Sequence, residues 1–264
     1  MTALPAFAGY ALDLDGTVWL DEVALPGAVA GIAALRARGA RVVFVTNKPL
    51  EPAAAYAATL SRLGVPADPA DVVTSLDVLV RYLLAHHAGK RLLLVAEDLV
   101  ARSLVAAGFE VVTDPAAARV VVVSFDRTFD YAKLHAAYRA VRGGAVIVAT
   151  NPDPYCPTAD GGLPDCAAML AAVEACTGAR AEAVVGKPSP YMAEAFLARL
   201  AVPAAAAAMV GDRLLTDVAM GVRAGLAGVL VTTGATRRED VAASPVRPDY
   251  VIDSLLDLVR GELP

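Results

Sequence analysis

Residues 10–19 read Tyr-Ala-Leu-Asp-Leu-Asp-Gly-Thr-Val-Trp. The mostly apolar segment over residues 7–12 predicts a short buried strand that runs into two carboxylates, Asp13 and Asp15. Alternate residues of a strand project from the same face, so both carboxylates would point the same way. Gly16 then allows the chain to turn away at once. This stretch therefore predicts a strand whose carboxyl end presents two acids.

Two acids at the end of a strand cost free energy unless another group pairs with their charge. A hard cation such as Mg²⁺ prefers oxygen ligands of this kind, and it also attracts phosphate oxygens. The alternative is an Asp-rich turn that binds nothing. Asp13 and Asp15 by themselves leave both interpretations open, and the choice depends on the rest of the chain.

The composition indicates a folded protein with a substantial core. The 264 residues are enough for one large domain or two smaller ones. Hydrophobic residues make up 57% of the chain and charged residues 19%, which excludes a disordered chain. The net charge of −5, without any basic run, argues against a nucleic-acid partner.

The sequence has no feature expected of a secreted or membrane protein. Residues 1–8 lack the basic and apolar regions of a signal peptide, and no apolar run approaches the roughly 20 residues that span a bilayer. Cys156, Cys166 and Cys176 match no zinc-binding spacing and are expected to be free thiols. We therefore expect a cytoplasmic protein that contacts no membrane.

Apolar runs alternate with helical patterns after the first strand. Helical spacing predicts helices over residues 27–38 and 52–63, and an apolar run predicts a strand over residues 41–45 between them. This alternation implies a parallel sheet, in which ligands bind at the carboxyl ends of the strands.

The alternation restarts in the middle of the chain. Residues 76–182 contain a complete α/β pattern of their own, and residues 183–186 are expected to return as a strand of the first sheet. We therefore expect a core domain formed by residues 1–75 and 183–264. The second α/β domain would be inserted into this core.

Polar side chains follow four predicted strands of the core at the point where each strand ends. Because the carboxyl ends of parallel strands meet at one edge of a sheet, we expect these groups to lie together. Carboxylates hold Mg²⁺, hydroxyl and amide groups bind phosphate oxygens, and a lysine neutralises developing charge. The set therefore indicates phosphoryl transfer, and its members are Asp13 with Asp15, Thr46 with Asn47, Lys187, and Asp212 with Asp217.

The sequence resembles the haloacid dehalogenase superfamily, and within it the NagD-like, p-nitrophenyl phosphatase-like class IIA branch. The core motifs stand in the family's order: D-x-D-G-T at 13–17, T-N at 46–47, G-K-P-S-P at 186–190 and G-D-R-L-x-T-D at 211–217. Two phrases of the inserted domain, F-D-R-T-F-D-Y at 125–131 and A-T-N-P-D at 149–153, extend the resemblance over essentially the whole chain. It implies an α/β fold with a Rossmann-like parallel-sheet core and an inserted α/β cap of the C2 type.

The resemblance implies catalytic roles for the core residues. Asp13 would be the nucleophile that attacks phosphorus and becomes an aspartyl-phosphate. Asp15 would protonate the leaving oxygen and then activate the water that cleaves this intermediate. Thr46 and the backbone at Asn47 would hold the phosphoryl oxygens, and Lys187 would bridge the nucleophile and the phosphate.

The resemblance also implies a Mg²⁺ site. The ion would bind the Asp13 carboxylate, the Asp15 backbone carbonyl and Asp212. Asp217 would support the metal indirectly, through water or by orienting its neighbours.

The inserted domain corresponds to the family's cap, which closes over the site and excludes water. Its loop over residues 151–165 is the candidate for substrate choice. Tyr155 and Cys156 stand where related phosphatases contact the leaving group, whereas Arg127 and Asp153 either contact substrate or only brace the cap. Caps of this type often mediate dimers, so the resemblance implies a possible homodimer.

Two features near the core motifs have no assigned catalytic role at this stage. Many relatives carry Asn or another small polar residue after T-N, whereas this chain has Lys48 followed by Pro49. Trp19 is interpreted as a packing residue near the entrance of the site. Neither feature alters the predicted catalytic set.

We therefore expect a Mg²⁺-dependent phosphatase that acts on small phosphorylated metabolites, with p-nitrophenyl phosphate as a generic substrate. Sugar phosphates, nucleotides, phosphoglycolate and pyridoxal phosphate are all compatible with the sequence. The alternatives are a phosphotransferase on the same fold and a non-catalytic regulatory protein that binds a phosphorylated metabolite. Asp15 counts against dehalogenation, which needs no general acid there, and the nucleophile Asp13 counts against a pure binding protein.

Overall fold

The computed structural model describes residues 4–156, 158 and 161–259. Its strands are β1 (Gly9–Asp13), β2 (Trp19–Leu20), β3 (Val23–Ala24), β4 (Arg41–Thr46), β5 (Val72–Thr74), β6 (Leu92–Val95), β7 (Val120–Val123), β8 (Val146–Ala149), β9 (Tyr155–Cys156), β10 (Leu163–Pro164), β11 (Ala183–Val184), β12 (Ala207–Gly211), β13 (Ala227–Val231) and β14 (Tyr250–Ile252). Its α-helices are α1 (Ala28–Ala37), α2 (Ala53–Arg62), α3 (Ser75–His86), α4 (Asp98–Ala106), α5 (Tyr131–Arg142), α6 (Cys166–Thr177), α7 (Pro190–Leu200) and α8 (Ala219–Arg223).

Some predicted segments extend beyond this description. Pro157, Ala159 and Asp160 of the candidate substrate loop lie outside the described residues, as do residues 1–3 and 260–264 of the predicted core. Within the described part of the chain, no helix combines the length and apolar character that crossing a bilayer requires.

The larger sheet has six strands in the order β14-β13-β12-β1-β4-β5. All neighbouring pairs are parallel, so β1, β4 and β12 end at the same edge. All five residues of β1 are buried, as expected for a central strand that is covered on both faces. The predicted α/β fold with a parallel-sheet core is confirmed.

A second parallel sheet has four strands in the order β11-β8-β7-β6. The strand Ala183–Val184 pairs with β8 in this sheet, so the prediction that residues 183–186 return to the first sheet is wrong. A strand of two residues is too short to show a periodicity, so the sequence does not indicate which sheet it joins. We propose that the chain is divided into a core domain and an inserted cap, and that the cap ends after Val184.

The start of α3 is fixed to the tip of β4. Thr74 and Asp77 form a capping box, in which each side chain accepts a hydrogen bond of 3.1 Å from the other residue's backbone amide. The Ser75 hydroxyl donates to the Asn47 carbonyl at 2.6 Å. The helix terminus therefore holds the backbone at Asn47, directly beyond β4.

One apolar cluster contains side chains from both sheets. It includes Val43 and Val45 of β4 together with Val120 and Val122 of β7. Leu79 of α3 is fully buried in the same cluster. Helix α3 contacts β5 and α7 as well as α4, which follows β6 of the second sheet. Burial of apolar surface therefore couples the two sheets.

We expect Leu79→Ala to lower the free energy of unfolding by about 2–5 kcal/mol, because it leaves a cavity in this shared cluster. Leu84→Ala on the same helix is the matched control. Leu84 is 49% exposed, so its truncation removes few buried contacts. Urea denaturation followed by circular dichroism and by Trp19 fluorescence measures both variants. Equal losses for the two variants would contradict the role given to the cluster.

Candidate active site

The carboxyl ends of β1, β4 and β12 surround a cavity of about 40 Å³. Asp13 is in register with Val45, one residue before Thr46, and Asp212 directly follows β12. All predicted site residues except Arg127 line this cavity, namely Asp13, Asp15, Thr46, Asn47, Asp153, Tyr155, Cys156, Lys187, Asp212 and Asp217. The prediction missed four others that line it, which are Lys48, Asp165, Arg213 and Thr216.

Lys187 is buried between two carboxylates. Its ammonium contacts the Asp13 carboxylate, and its Nζ lies 2.7 Å from Asp217 Oδ1. Burial favours the neutral amine, but the charges of Asp13 and Asp217 outweigh it and raise the pKa of Lys187 above its ordinary value. Lys187 is therefore a permanent positive charge beside Asp13.

Three buried carboxylates lie close together around the Lys187 ammonium. Oxygen atoms of Asp13, Asp212 and Asp217 all lie within 4.8 Å of one another. Burial, followed by the repulsion from Asp217, raises the pKa of Asp212 to about 7. Burial also raises the pKa of Asp13 well above its ordinary value, although Lys187 opposes this effect. The cluster therefore contains more negative charge than Lys187 neutralises.

Two glycines make room for the Asp212 carboxylate. A Cβ atom at Gly16 would stand 2.4 Å from Asp212 Oδ2, and one at Gly234 would stand 2.1 Å from the same atom. Gly16 also has a φ of +86°, which disfavours other residue types. The glycine after Asp15 thus serves both the turn predicted from the sequence and the approach of Asp212.

The Asn47 side chain joins three segments of the site. Its Oδ1 accepts a hydrogen bond of 2.7 Å from the Lys187 amide, and its Nδ2 donates to the Lys187 carbonyl at 3.2 Å. The same Nδ2 donates to Asp153 Oδ2 at 2.8 Å. The tip of β4 is therefore bonded to the lysine segment and to the loop after β8.

Arg213 also contacts the loop after β8. Its guanidinium donates to the Tyr155 carbonyl at 3.1 Å and stacks on the Tyr155 ring at 4.8 Å. It also lies 3.9 Å from Asp153. Arg213 stands next to Asp212 inside the G-D-R-L-x-T-D motif, and that position was the only signal in the sequence that could have identified it.

The Asp15 carboxylate is held by two residues to which the sequence analysis assigned no catalytic role. Lys48 Nζ lies 2.8 Å from Asp15 Oδ1, and the Trp19 indole donates to the same oxygen at 3.3 Å. Trp19 is buried, as a packing residue would be, but it also contributes this hydrogen bond.

Arg127 lies outside the small cavity. Its guanidinium forms two hydrogen bonds of 2.6 and 2.8 Å with Glu97. It lines a neighbouring outer cavity of about 660 Å³, to which Asp15 and Lys48 also contribute. These contacts agree with a bracing role, and direct contact with substrate stays a prediction.

Several proteins that are similar to this chain in sequence or fold are named as phosphatases. A family model for haloacid dehalogenase-like hydrolases matches residues 10–110, and a related HAD-hydrolase-like model matches residues 184–258. The sugar-phosphatase AraL of Bacillus subtilis is 34% identical over 96% of this chain and 92% of its own length. Human chronophin is 34% identical with the same coverage.

The chain belongs to the haloacid dehalogenase-like hydrolase family. Solved structures agree: the 4-nitrophenylphosphatase of Thermotoga maritima superimposes with a TM-score of 0.90 and 34% identity, covering 98% of this chain and 99% of the other. NagD of Escherichia coli superimposes with a TM-score of 0.84 and 29% identity, covering 96% and 98%. The predicted membership in the NagD-like branch is confirmed.

The acid cluster of this family member fits a hard divalent cation. Asp212 Oδ1 is buried without a hydrogen-bond partner, whereas Oδ2 accepts a bond of 2.6 Å from the Ala235 amide. Oxygen ligands and surplus negative charge are what Mg²⁺ requires. The residues that would hold the ion are Asp13 and Asp212, with Asp217 beside them.

We expect Mg²⁺ to raise the melting temperature more at pH 8 than at pH 5.5. In the metal-free protein, the pKa of Asp212 is about 7, against about 4 in an unfolded chain. Its contribution to stability is therefore present below pH 4 and is lost as the pH rises through 7. Bound Mg²⁺ offsets this loss because it favours the charged carboxylate.

Thermal unfolding at both pH values, with Mg²⁺ and with EDTA, measures this effect. Asp212→Asn provides the control, because it removes the titrating group and should abolish most of the pH-dependent difference. If Mg²⁺ raises the melting temperature equally at both pH values and does so in Asp212→Asn as well, the ion binds elsewhere.

Proposed function

We propose that this protein is a Mg²⁺-dependent phosphatase that hydrolyses phosphomonoesters of small metabolites through an aspartyl-phosphate on Asp13. Its relatives, named as phosphatases, already support the class of phosphomonoester hydrolase. The observation that carries the mechanism is the position of Asp13, which contacts Lys187 and lines the small cavity.

The first step uses Asp13 as the nucleophile. A carboxylate oxygen of Asp13 forms a bond to phosphorus while the ester bond to the leaving oxygen breaks. Lys187 remains charged beside Asp13 and neutralises the negative charge that spreads over the phosphoryl oxygens. The Thr46 hydroxyl and the backbone at Asn47 line the same cavity and hold those oxygens.

Asp15 handles the protons of both steps. It gives a proton to the leaving oxygen, and it then takes one from the water that hydrolyses the aspartyl-phosphate. Its carboxylate lines the small cavity together with Asp13, which this role requires. Mg²⁺, held by Asp13 and Asp212, would neutralise phosphate charge and polarise the phosphoryl group.

The dimensions of the two cavities support small phosphate esters as substrates. The inner cavity of about 40 Å³ has room for about three waters, which corresponds to a phosphoryl group but not to a whole ester. Asp15 lines both the inner cavity and the outer cavity of about 660 Å³. A leaving oxygen next to Asp15 therefore directs the remainder of the substrate into the outer cavity, towards Tyr56 and Arg127.

The cytoplasmic location and the homodimer are also parts of this proposal. Cys156, Cys166 and Cys176 form no disulfide bond in the described part of the chain, which supports a reducing compartment. The homodimer is supported by the family resemblance alone.

We expect Asp13→Asn to lower phosphate release by at least about a thousandfold, because the amide keeps the shape of Asp13 without its nucleophilic charge. The assay uses p-nitrophenyl phosphate and a panel of sugar phosphates, nucleotides, phosphoglycolate and pyridoxal phosphate, with Mg²⁺ and with EDTA. Asp98→Asn is the control, because Asp98 is exposed in the first turn of α4, outside both cavities.

The possible results separate the proposal from its alternatives. Activity that is lost in Asp13→Asn and in EDTA supports the phosphatase. Tight binding of a phosphate ester without any turnover by the wild type would favour the non-catalytic regulator. Transfer of the phosphoryl group to an added alcohol faster than to water would favour the phosphotransferase.

A further inference from the structure

Two hydrogen-bond donors meet on one oxygen of Asp15. Lys48 Nζ lies 2.8 Å from Oδ1, and Trp19 Nε1 lies 3.3 Å from the same atom. The side chains of Asp15 and Lys48 are only 14% and 23% exposed, so little water competes with their contact. Such an arrangement fixes the carboxylate more firmly than a surface ion pair would.

The two donors are themselves held in place. The Lys48 amide donates to the Thr46 hydroxyl at 3.0 Å, and the Tyr56 hydroxyl donates to the Lys48 carbonyl at 3.1 Å. The rings of Trp19 and Tyr56 are stacked, with centroids 6.4 Å apart and planes inclined by 17°. Asp15, Lys48, Tyr56 and Trp19 therefore form a closed ring of contacts.

Lys48 stays protonated in this environment. Burial opposes the charge, but Asp15 beside it raises the pKa of Lys48 above its ordinary value. Lys48 also lines both cavities, as Asp15 does. It therefore stands where the phosphoryl site meets the space for the leaving group.

We propose that Lys48 and Trp19 are positioning residues that hold Asp15 by Oδ1, so that Oδ2 exchanges the proton with the leaving oxygen. The inference rests on the proposed phosphatase function, because it concerns the general acid of that reaction. Neither residue needs to touch the substrate. A displacement of the Asp15 carboxylate by about 1 Å is enough to impair proton transfer strongly.

The inference predicts a dependence on the leaving group. When Asp13 attacks, the electron pair of the broken ester bond stays on the leaving oxygen, which then takes the proton of Asp15. An alkoxide is a strong base and needs this proton as the bond breaks. p-Nitrophenolate is a weak base and leaves without it. Loss of the two positioning contacts should therefore affect alkyl esters much more than the nitrophenyl ester.

The experiment compares kcat/KM for glycerol phosphate and p-nitrophenyl phosphate. For each ester, kcat/KM reports the steps up to ester cleavage and excludes hydrolysis of the aspartyl-phosphate, in which Asp15 also acts. We expect Lys48→Met to lower kcat/KM about 100-fold for the alkyl ester and less than about threefold for the nitrophenyl ester. Lys48→Arg keeps a charged donor and should restore most of the alkyl activity.

Two further variants complete the design. Trp19→Phe removes one donor but keeps the ring, and it should change the alkyl-to-aryl ratio in the same direction by a smaller factor. Lys90→Met removes a charge from an exposed position outside both cavities and should leave kcat/KM unchanged for both substrates. Melting temperatures show whether each variant is folded, and Lys48→Arg and Trp19→Phe still test the inference if Lys48→Met does not fold.

Pre-steady-state kinetics add a second readout. Because Asp15 also activates the hydrolytic water, Lys48→Met should show a burst of p-nitrophenolate followed by slow turnover. Equal losses for both esters would mean that Lys48 binds the phosphoryl group and would overturn the inference, as would no loss for either ester. A wild-type protein that cleaves neither ester, nor any other in the panel, would refute the phosphatase function itself.

Discussion

The burial of charge at the carboxyl edge of the large sheet governs the rest of the structure. Asp13, Asp212 and Asp217 are almost inaccessible to water, and Lys187 is the cation placed among them. Three carboxylates around one ammonium are unfavourable in a medium of low dielectric constant unless a further cation or protons complete the balance. The free energy for this arrangement has to come from the apolar cores on both faces of the sheet. We therefore expect this edge to bind a divalent cation, whose charge would also offset that of a phosphate.

The same edge of the sheet also carries the contacts to the loop after β8. Asn47 forms hydrogen bonds to the backbone of Lys187 and to Asp153, so one side-chain amide connects the lysine segment with the loop after β8. Arg213 contacts Tyr155 from a motif whose neighbouring residue, Asp212, belongs to the acid cluster. Residues of the predicted catalytic set and residues that hold the loop therefore belong to the same short segments. We expect a substitution that alters the catalytic set to alter the loop contacts as well, because both depend on the same hydrogen-bonded segments.

The sequence allowed the fold and the position of the acid cluster to be predicted because both follow from local rules. Alternating strands and helices imply a parallel sheet, and polar residues at strand ends converge at its edge. The sheet to which Ala183–Val184 belongs could not be predicted, because two residues show no periodicity and their partner is chosen by tertiary packing. The positioning contacts of Lys48 and Trp19 and the loop contact of Arg213 depend on side-chain directions that only the assembled fold defines. Their residue types were visible in the sequence, but no spacing rule connects them with their partners.

The small volume of the inner cavity limits what it is able to select. A space for about three waters corresponds to the phosphoryl group that all phosphate esters share, so contacts in this space do not distinguish one ester from another. The outer cavity of about 660 Å³ has a different lining, which includes Trp19, Tyr56 and Arg127. Under the proposed function, recognition is therefore divided: the inner cavity fixes the reaction, and the outer cavity fixes the choice among substrates.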